Sequence, residues 1–196
     1  MITHKGINNI TDDAQGCVLI IGNFDGVHLG HRALIERGRE IAKKNNAPLA
    51  VMTFDPHPKI FFKSDVNHFS LTSLEMKENL LSVEKIDHLF VVEFNKEFSQ
   101  ISSEDFINEI LIKSLKVSHI IVGEDFSFGS KRSGNIKMLK KTSDNGAFGL
   151  TIVNPIKNAD GLIYSSTVIR KLLRDGKFDE AEKLLGWRLE FKPEPL

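Results

Sequence analysis

Gly16-Cys-Val-Leu-Ile-Ile-Gly-Asn-Phe-Asp-Gly-Val-His-Leu-Gly-His31 decides the fold. Val18–Ile21 is a short apolar run without alternation, the pattern of a strand buried on both faces. A glycine-marked polar turn follows, and beyond it Leu34, Gly38, Ile41 and Ala42 recur at helical spacing. Strand, turn and helix in that order open a doubly wound α/β sheet. Four more runs of the same kind, Leu49–Phe54, Leu89–Val92, His119–Val122 and Leu150–Val153, predict a parallel sheet of about five strands.

Helical patterns separate the runs. Met76, Leu80 and Val83 share a face behind a capping box, Thr72-Ser-Leu-Glu75. Phe106, Ile107, Ile110 and Leu111 form another stripe, and a further helix is expected from about Asn135 to Asn145. Two last helices carry Ile169, Leu172 and Leu173, closed by Gly176, and Phe178, Ala181, Leu184 and Leu185, closed by Gly186. They predict a C-terminal helical appendage. Asn154 to Tyr164, with Lys157 and Asp160, reads as a loop, and Glu190 to Leu196 as an unstructured tail.

A chain of 196 residues suits one domain. Lys+Arg and Asp+Glu each number 26, so nothing suggests a nucleic-acid partner. The Lys43-Lys44 and Lys140-Lys141 pairs read as solvated helix faces. The lone cysteine, Cys17, lies in an apolar run and reads as a buried small residue. Met1 to Asp13 has no apolar core of a signal peptide, and no run approaches the ~20 residues of a membrane span. A soluble, cytoplasmic protein with no membrane partner is expected.

The unusual residues follow the strands. Gly22 to His31 follows the first, Asp55-Pro-His-Pro58 the second and Gly123-Glu-Asp-Phe-Ser-Phe-Gly129 the fourth. Ligands of open α/β sheets bind beyond the carboxyl ends of the strands, so these segments should converge on one cleft. His28-Leu-Gly-His31 puts two imidazoles on one side of a helix start, where exposed N–H groups and the dipole favour an anion. Gly30 would let a ligand approach the backbone. Such a place suits a phosphate chain whose charge grows in a transition state. A zinc pair is the other reading, but no third ligand with suitable spacing is evident. Ser165-Ser-Thr167 caps a helix, or adds hydroxyls around a triphosphate with Arg170 as a cationic clamp. Phe54, Phe62, Phe126 and Phe128 either sandwich a flat ring or anchor the loops.

With these motifs in view, the sequence resembles the adenylyltransferase module of the bacterial bifunctional riboflavin kinase/FAD synthetases. The likeness rests on Gly16–His31, Thr53-Phe-Asp-Pro-His-Pro58, Leu71-Thr-Ser-Leu-Glu-Met-Lys77, Glu97-Phe98, Val122–Gly129 and Ser165-Ser-Thr-Val-Ile-Arg170. It implies a Rossmann-like fold and the reaction of ATP with FMN, with Mg²⁺, to give FAD and pyrophosphate. It also implies His28 and His31 at the transferring phosphate, and Gly22, Asn23, Phe24, Asp25 and Gly30 at the nucleotide. Ser165, Ser166, Thr167 and Arg170 would hold the outgoing pyrophosphate, and Asp125 with Phe126 and Phe128 would hold ligand in the cleft. Phe54, Pro56, His57, Pro58 and Phe62 would flank the flavin. The catalytic set so implied is His28, His31, Ser166, Thr167 and Arg170, with no metal ligand assigned.

An adenylyltransferase domain over 1–186 and a tail over 187–196 are expected, without the riboflavin kinase domain of the resembled enzymes. FMN would then come from a separate riboflavin kinase. A related enzyme with another acceptor, such as nicotinamide mononucleotide, and a non-catalytic flavin- or nucleotide-binding module are the alternatives.

Overall fold

The computed structural model describes residues 1–8, 10–62, 69–158 and 161–189. Its main sheet has six parallel strands, where the sequence suggested about five. They are β1 (Ile2–Lys5), β2 (Val18–Ile21), β3 (Leu49–Asp55), β4 (His88–Glu93), β5 (His119–Gly123) and, after the short antiparallel pair β6 (Ser127–Phe128) and β7 (Gly134–Asn135), β8 (Gly149–Val153). The helices are α1 (Leu29–Asn45), α2 (Pro58–Phe61), α3 (Leu74–Ser82), α4 (Lys96–Ser99), α5 (Ser103–Asp105), α6 (Ile136–Asp144), α7 (Ser166–Arg174) and α8 (Phe178–Leu185). α5 runs directly into a π-helical stretch, Phe106–Ser114.

The strand order is β1-β4-β3-β2-β5-β8. β1 is the strand that the apolar pattern missed. It is an edge strand of mostly exposed residues, Ile2-Thr-His-Lys5, joined to β4 by backbone hydrogen bonds. An edge needs little apolar content, and polar residues there discourage pairing with other chains.

The pleat sends alternate residues of β2 to opposite layers. Val18 and Ile20 pack with Ile35 and Ala42 of α1 and Leu81 of α3. Leu19 and Ile21 pack with Phe106, Ile107, Ile110 and Leu111 of the π-helical stretch and Leu139 of α6. Helices therefore cover both faces, which is why these strands read as unbroken apolar runs. Ile169, Leu172, Ala181, Leu184 and Leu185 close a third cluster between α7 and α8, the expected appendage.

Three local expectations change. The N-cap of α3 is Ser73, whose hydroxyl accepts from Met76 N, while the Thr72 hydroxyl accepts instead from Gly26 N at 3.2 Å. The buried face of that helix carries Lys77 and Leu81, and Val83 is 67% exposed. Asn154–Tyr164 is tied back on itself by Tyr164 N to Ile156 O and Asn158 N to Leu162 O, both 2.9 Å, around a Lys157–Ile163 bridge. Trp187 and Leu189 pack on the α7–α8 cluster and so belong to the folded unit, not to a tail. The expected tail from Glu190 onward, and Asp160, lie outside the described residues.

The connection from β2 leads outward to β3 on one side, whereas β5 lies on the other. The carboxyl ends of β2 and β5 are thus the switch point, where a crevice opens. Gly123–Phe126 turns there, with Phe126 N bonded to Gly123 O at 3.1 Å, and leads into β6. Gly129 ends that hairpin strand at φ +71°, and a Cβ there would lie 2.7 Å from Ser103 N. Gly129→Ala should therefore cost roughly 1–3 kcal/mol. Urea unfolding should show it as a lower midpoint with an unchanged slope.

Candidate functional site

The turn after β2 is the most strained part of the crevice. Phe24, Gly26 and Val27 all adopt left-handed φ, at 49°, 85° and 37°. For a β-branched residue such as Val27 this is disfavoured backbone, which persists only where the surroundings impose it. Phe24 and Val27 are fully buried in the α1-side core, and a Cβ on Gly26 would meet Leu71 Cδ1 at 2.9 Å. Core packing thus pulls the turn down from above and below.

Asp25 locks it. Oδ1 accepts from Leu71 N at 2.9 Å and Thr72 N at 3.3 Å, and Oδ2 pairs with the Arg170 guanidinium. Arg170 Nε also donates to Phe69 O at 2.6 Å. Ser166 Oγ donates to Asp25 O at 2.8 Å, and the Trp187 indole N–H to Gly26 O at 2.9 Å. Asp25 and Arg170 are 3% and 5% exposed. Both were expected against nucleotide phosphates. The structure instead turns Asp25, Arg170 and the Ser166 hydroxyl inward, onto each other and the turn backbone. Ser165 accepts from Val168 N at 3.2 Å and caps α7, and Thr167 is exposed in its first turn.

His28 caps α1, its Nδ1 accepting from His31 N at 3.3 Å. A ring nitrogen that accepts carries no proton, so the neutral ring holds its hydrogen on Nε2. The two imidazoles stack 3.6 Å apart between centroids, and the ring of Phe24 lies 4.9 Å from that of His31. Burial pushes His28 down to about 4, with the Arg170 charge adding to the effect. His31 is driven well below its ordinary value by burial, by His28 and by the Lys77 cation. Its Nδ1 is buried and has no hydrogen-bond partner among the described residues. Gly30 is also required by packing: a Cβ there would lie 2.9 Å from Tyr164 Cβ and 3.0 Å from His28 Nδ1.

The other wall is aromatic. From the exposed Phe62, edge contacts run through Phe61 (5.1 Å) and Phe94 (5.6 Å) to Phe54 and Phe98, each within 6.1 Å of Phe94. The chain of rings continues through Phe106 and Phe128 to the half-buried Phe126. Phe54, Phe62, Phe126 and Phe128 thus lie on one surface. The sequence had not singled out Phe61 or Phe94, and Phe106 only as part of a helix stripe, although the Phe61-Phe62 doublet and the i, i+4 pair Phe94/Phe98 were visible signals. At the foot of this wall the Asp55–Pro56 peptide is cis, Pro58 opens α2 and His57 caps it by accepting from Lys59 N at 3.1 Å. Asp125 is exposed at the β5 turn. Among the described residues no three His, Cys, Asp or Glu side chains cluster as a metal site.

Two expectations follow. Removing the Asp25 charge strands a buried guanidinium, so Asp25→Asn should lose about 3–5 kcal/mol of unfolding free energy in denaturant titration. For His28 the folded value, about 4, lies below the ordinary 6.5. The unfolded chain therefore takes up its proton first, and the stabilisation is complete above pH 6.5 and lost as the pH falls toward about 4. That loss amounts to about 3 kcal/mol for His28, and His31 shifts in the same direction. Unfolding free energies measured across that window should fall steeply, and His28→Gln/His31→Gln should flatten the fall.

Comparison with known proteins agrees with this architecture. Residues 10–168 match the family described as FAD synthetase. The chain is 39% identical over 183 residues to the bifunctional riboflavin kinase/FMN adenylyltransferase of Escherichia coli (strain K12), covering 93% of this chain and 58% of that one. The protein of the same name from Listeria monocytogenes is 39% identical over 87% of this chain and 54% of its own. The chain thus spans little more than half the length of these relatives. A crystal structure described as a macrolide-efflux protein from Streptococcus pneumoniae superposes with a TM-score of 0.81 at 30% identity, over 95% of this chain and 60% of the other. A pantoate-β-alanine ligase from Francisella tularensis shares the fold at a TM-score of 0.54 and 15% identity, over 100% and 90% of the two chains. With the matched stretch running from before β2 into α7, the chain belongs to the FAD synthetase family.

Proposed function

We propose that the chain is an FMN adenylyltransferase. A phosphate oxygen of FMN attacks the α-phosphorus of ATP. The bond from that phosphorus to the bridging oxygen breaks, and pyrophosphate leaves with the electron pair. FAD is the product, and no protein nucleophile is required because the acceptor brings its own phosphate. The observation that carries this reading is the neutral, stacked His28–His31 pair at the N-terminus of a 17-residue helix, beside a wall of phenylalanines, in a member of this family.

Neutral imidazoles donate hydrogen bonds without fixing a salt bridge in the ground state. His28 offers Nε2–H, and the α1 dipole adds positive potential where charge accumulates on the transferring phosphate. The backbone of Gly22, Asn23 and Phe24 borders the nucleotide. Ser165, Ser166 and Thr167 present the first turn of α7 to the outgoing pyrophosphate. Arg170 and Asp25 act from beneath, by holding the turn. Phe54, Pro56, His57, Pro58 and Phe62 flank the isoalloxazine, with Asp125, Phe126 and Phe128 at its far side. Mg²⁺ travels with ATP, held mainly by phosphate oxygens and water, which suits a site where no carboxylates cluster among the described residues. FMN is supplied by phosphorylation of riboflavin, the other activity in the relatives' names.

The test mixes the chain with MgATP and FMN and follows FAD by chromatography and pyrophosphate by a coupled assay. The wild type should form FAD. His28→Ala and His31→Ala should cut turnover about ten- to a thousandfold while keeping most FMN binding. His28→Asn keeps a capping acceptor for α1, so its loss reports chemistry rather than helix stability. FMN bound without FAD formed would overturn the proposal, and stronger competition by nicotinamide mononucleotide than by FMN would move the acceptor elsewhere.

A further inference from the structure

Lys77 is a buried cation with no part in the mechanism above. It lies one turn before Leu81 on the core face of α3 and is 5% exposed. Burial drives its ammonium down from the ordinary lysine value, with Asp25 and Asp55 opposing the shift. An ammonium held in such a place needs partners. Its Nζ donates to the backbone carbonyl of Asn23 at 3.0 Å and to the hydroxyl of Thr53 at 3.2 Å. Thr53, fully buried in β3, donates in turn to the same Asn23 oxygen at 2.9 Å.

One carbonyl thus receives two hydrogen bonds, from β3 and from α3, and one of the donors is charged. It belongs to the peptide that enters Phe24, the first left-handed residue of the turn. In a planar trans peptide the N–H points opposite to the C=O. With Asn23 C=O drawn toward Lys77 and Thr53, Phe24 N–H faces the other side of the turn, and among the described residues it has no hydrogen-bond acceptor. The same ammonium is the lysine whose charge acts on His31.

We propose that Lys77 is a positioning residue of the adenylyl-transfer site: with Thr53 it fixes the Asn23–Phe24 peptide so that Phe24 N–H is presented to the anionic nucleotide. The inference rests on the FMN adenylyltransferase reading for its substrate. Its second consequence concerns the histidines. His31 is faced by His28 and Phe24 from its own segment, the Lys77 charge acts on it from α3, where Nζ is held at Asn23 O one residue before Phe24, and Arg170 of α7 acts on His28. Removing the α3 cation takes away one of the charges that keep the stacked pair unprotonated.

The test compares wild type, Lys77→Met and Thr53→Val. Circular dichroism and a thermal melt establish that each variant is folded at the assay temperature. Lys77→Met should lose about 10–100-fold in kcat, with KM for FMN within about threefold, and Thr53→Val should lose less in the same direction. Histidine ring resonances, followed by NMR as the pH is lowered, should show His31 taking up a proton at higher pH in Lys77→Met than in wild type. Wild-type kcat in folded Lys77→Met, or an unchanged His31 titration, would overturn the proposal, leaving Lys77 as a partner for a buried carbonyl. If the wild type itself makes no FAD, the adenylyltransferase reading fails, and the His31 titration still decides the position of Lys77.

Discussion

Asp25 is buried in the turn after β2, and two otherwise separate parts of the chain, the segment before α3 and the first turns of α7, meet on it. Its Oδ1 takes the N–H groups of Leu71 and Thr72, its Oδ2 takes the guanidinium of Arg170, and its own carbonyl takes the Ser166 hydroxyl. Burying such an ion pair is costly, and the mutual attraction offsets that cost only when the remaining lone pairs and protons are also used. Here they are: Arg170 reaches Phe69 O as well, and Trp187 closes on the adjoining Gly26 carbonyl. The interaction adds little net stability over an apolar core. What it supplies is a single arrangement, in which Phe24 and Val27 stay in backbone conformations they would leave if free.

The electrostatics of the crevice follow from that arrangement. The charge of Arg170 acts on His28, and that of Lys77 acts on His31. Burial does most to hold both imidazoles neutral, and the two cations act in the same direction, so the histidines remain neutral donors. Together with the N-terminus of α1, they form a surface rich in N–H groups whose positive potential comes from fixed dipoles and from charges set one layer back. Such preorganised donors need no rearrangement when negative charge appears before them.

The aromatic wall has a different origin. Its rings come from β3, α2, the β4–α4 connection, α4, the π-helical stretch and the β6 hairpin; those around Phe94 meet edge-on because the sheet order brings β3 and β4 together, while Phe128 is tilted against Phe106 and stacked on Phe126. At one end Phe106 and Phe128 are part of the core; at the other Phe62 is 58% exposed. A continuous chain of aromatic rings thus runs from the interior to the rim, on the strand next to the polar turn after β2. On the proposed reading, a flat aromatic ring joined to a phosphate would meet that pairing of surfaces.

The sequence by itself determined the layers. Strands buried on both faces must be apolar throughout, so β2, β3, β4, β5 and β8 were all legible within a residue or two of their observed bounds. The helix stripes were legible too, except in α3, whose buried face carries Lys77 and Leu81, as were the His28–His31 spacing and the segments that follow the carboxyl ends of the strands. β1 was not, because an edge strand is held by backbone hydrogen bonds that leave no mark on side-chain type. Only the tertiary structure decided which polar residues face inward. Asp25 and Arg170 are 145 residues apart, and Lys77 meets Asn23 across 54. A carboxylate in a glycine-rich turn looks the same in sequence whether it meets a ligand or a buried arginine. Likewise a lysine on an amphipathic helix looks solvated until the fold puts it against a carbonyl. Burial and partner are properties of the packed chain, and they separate the residues that would touch phosphate from those that hold the turn in place.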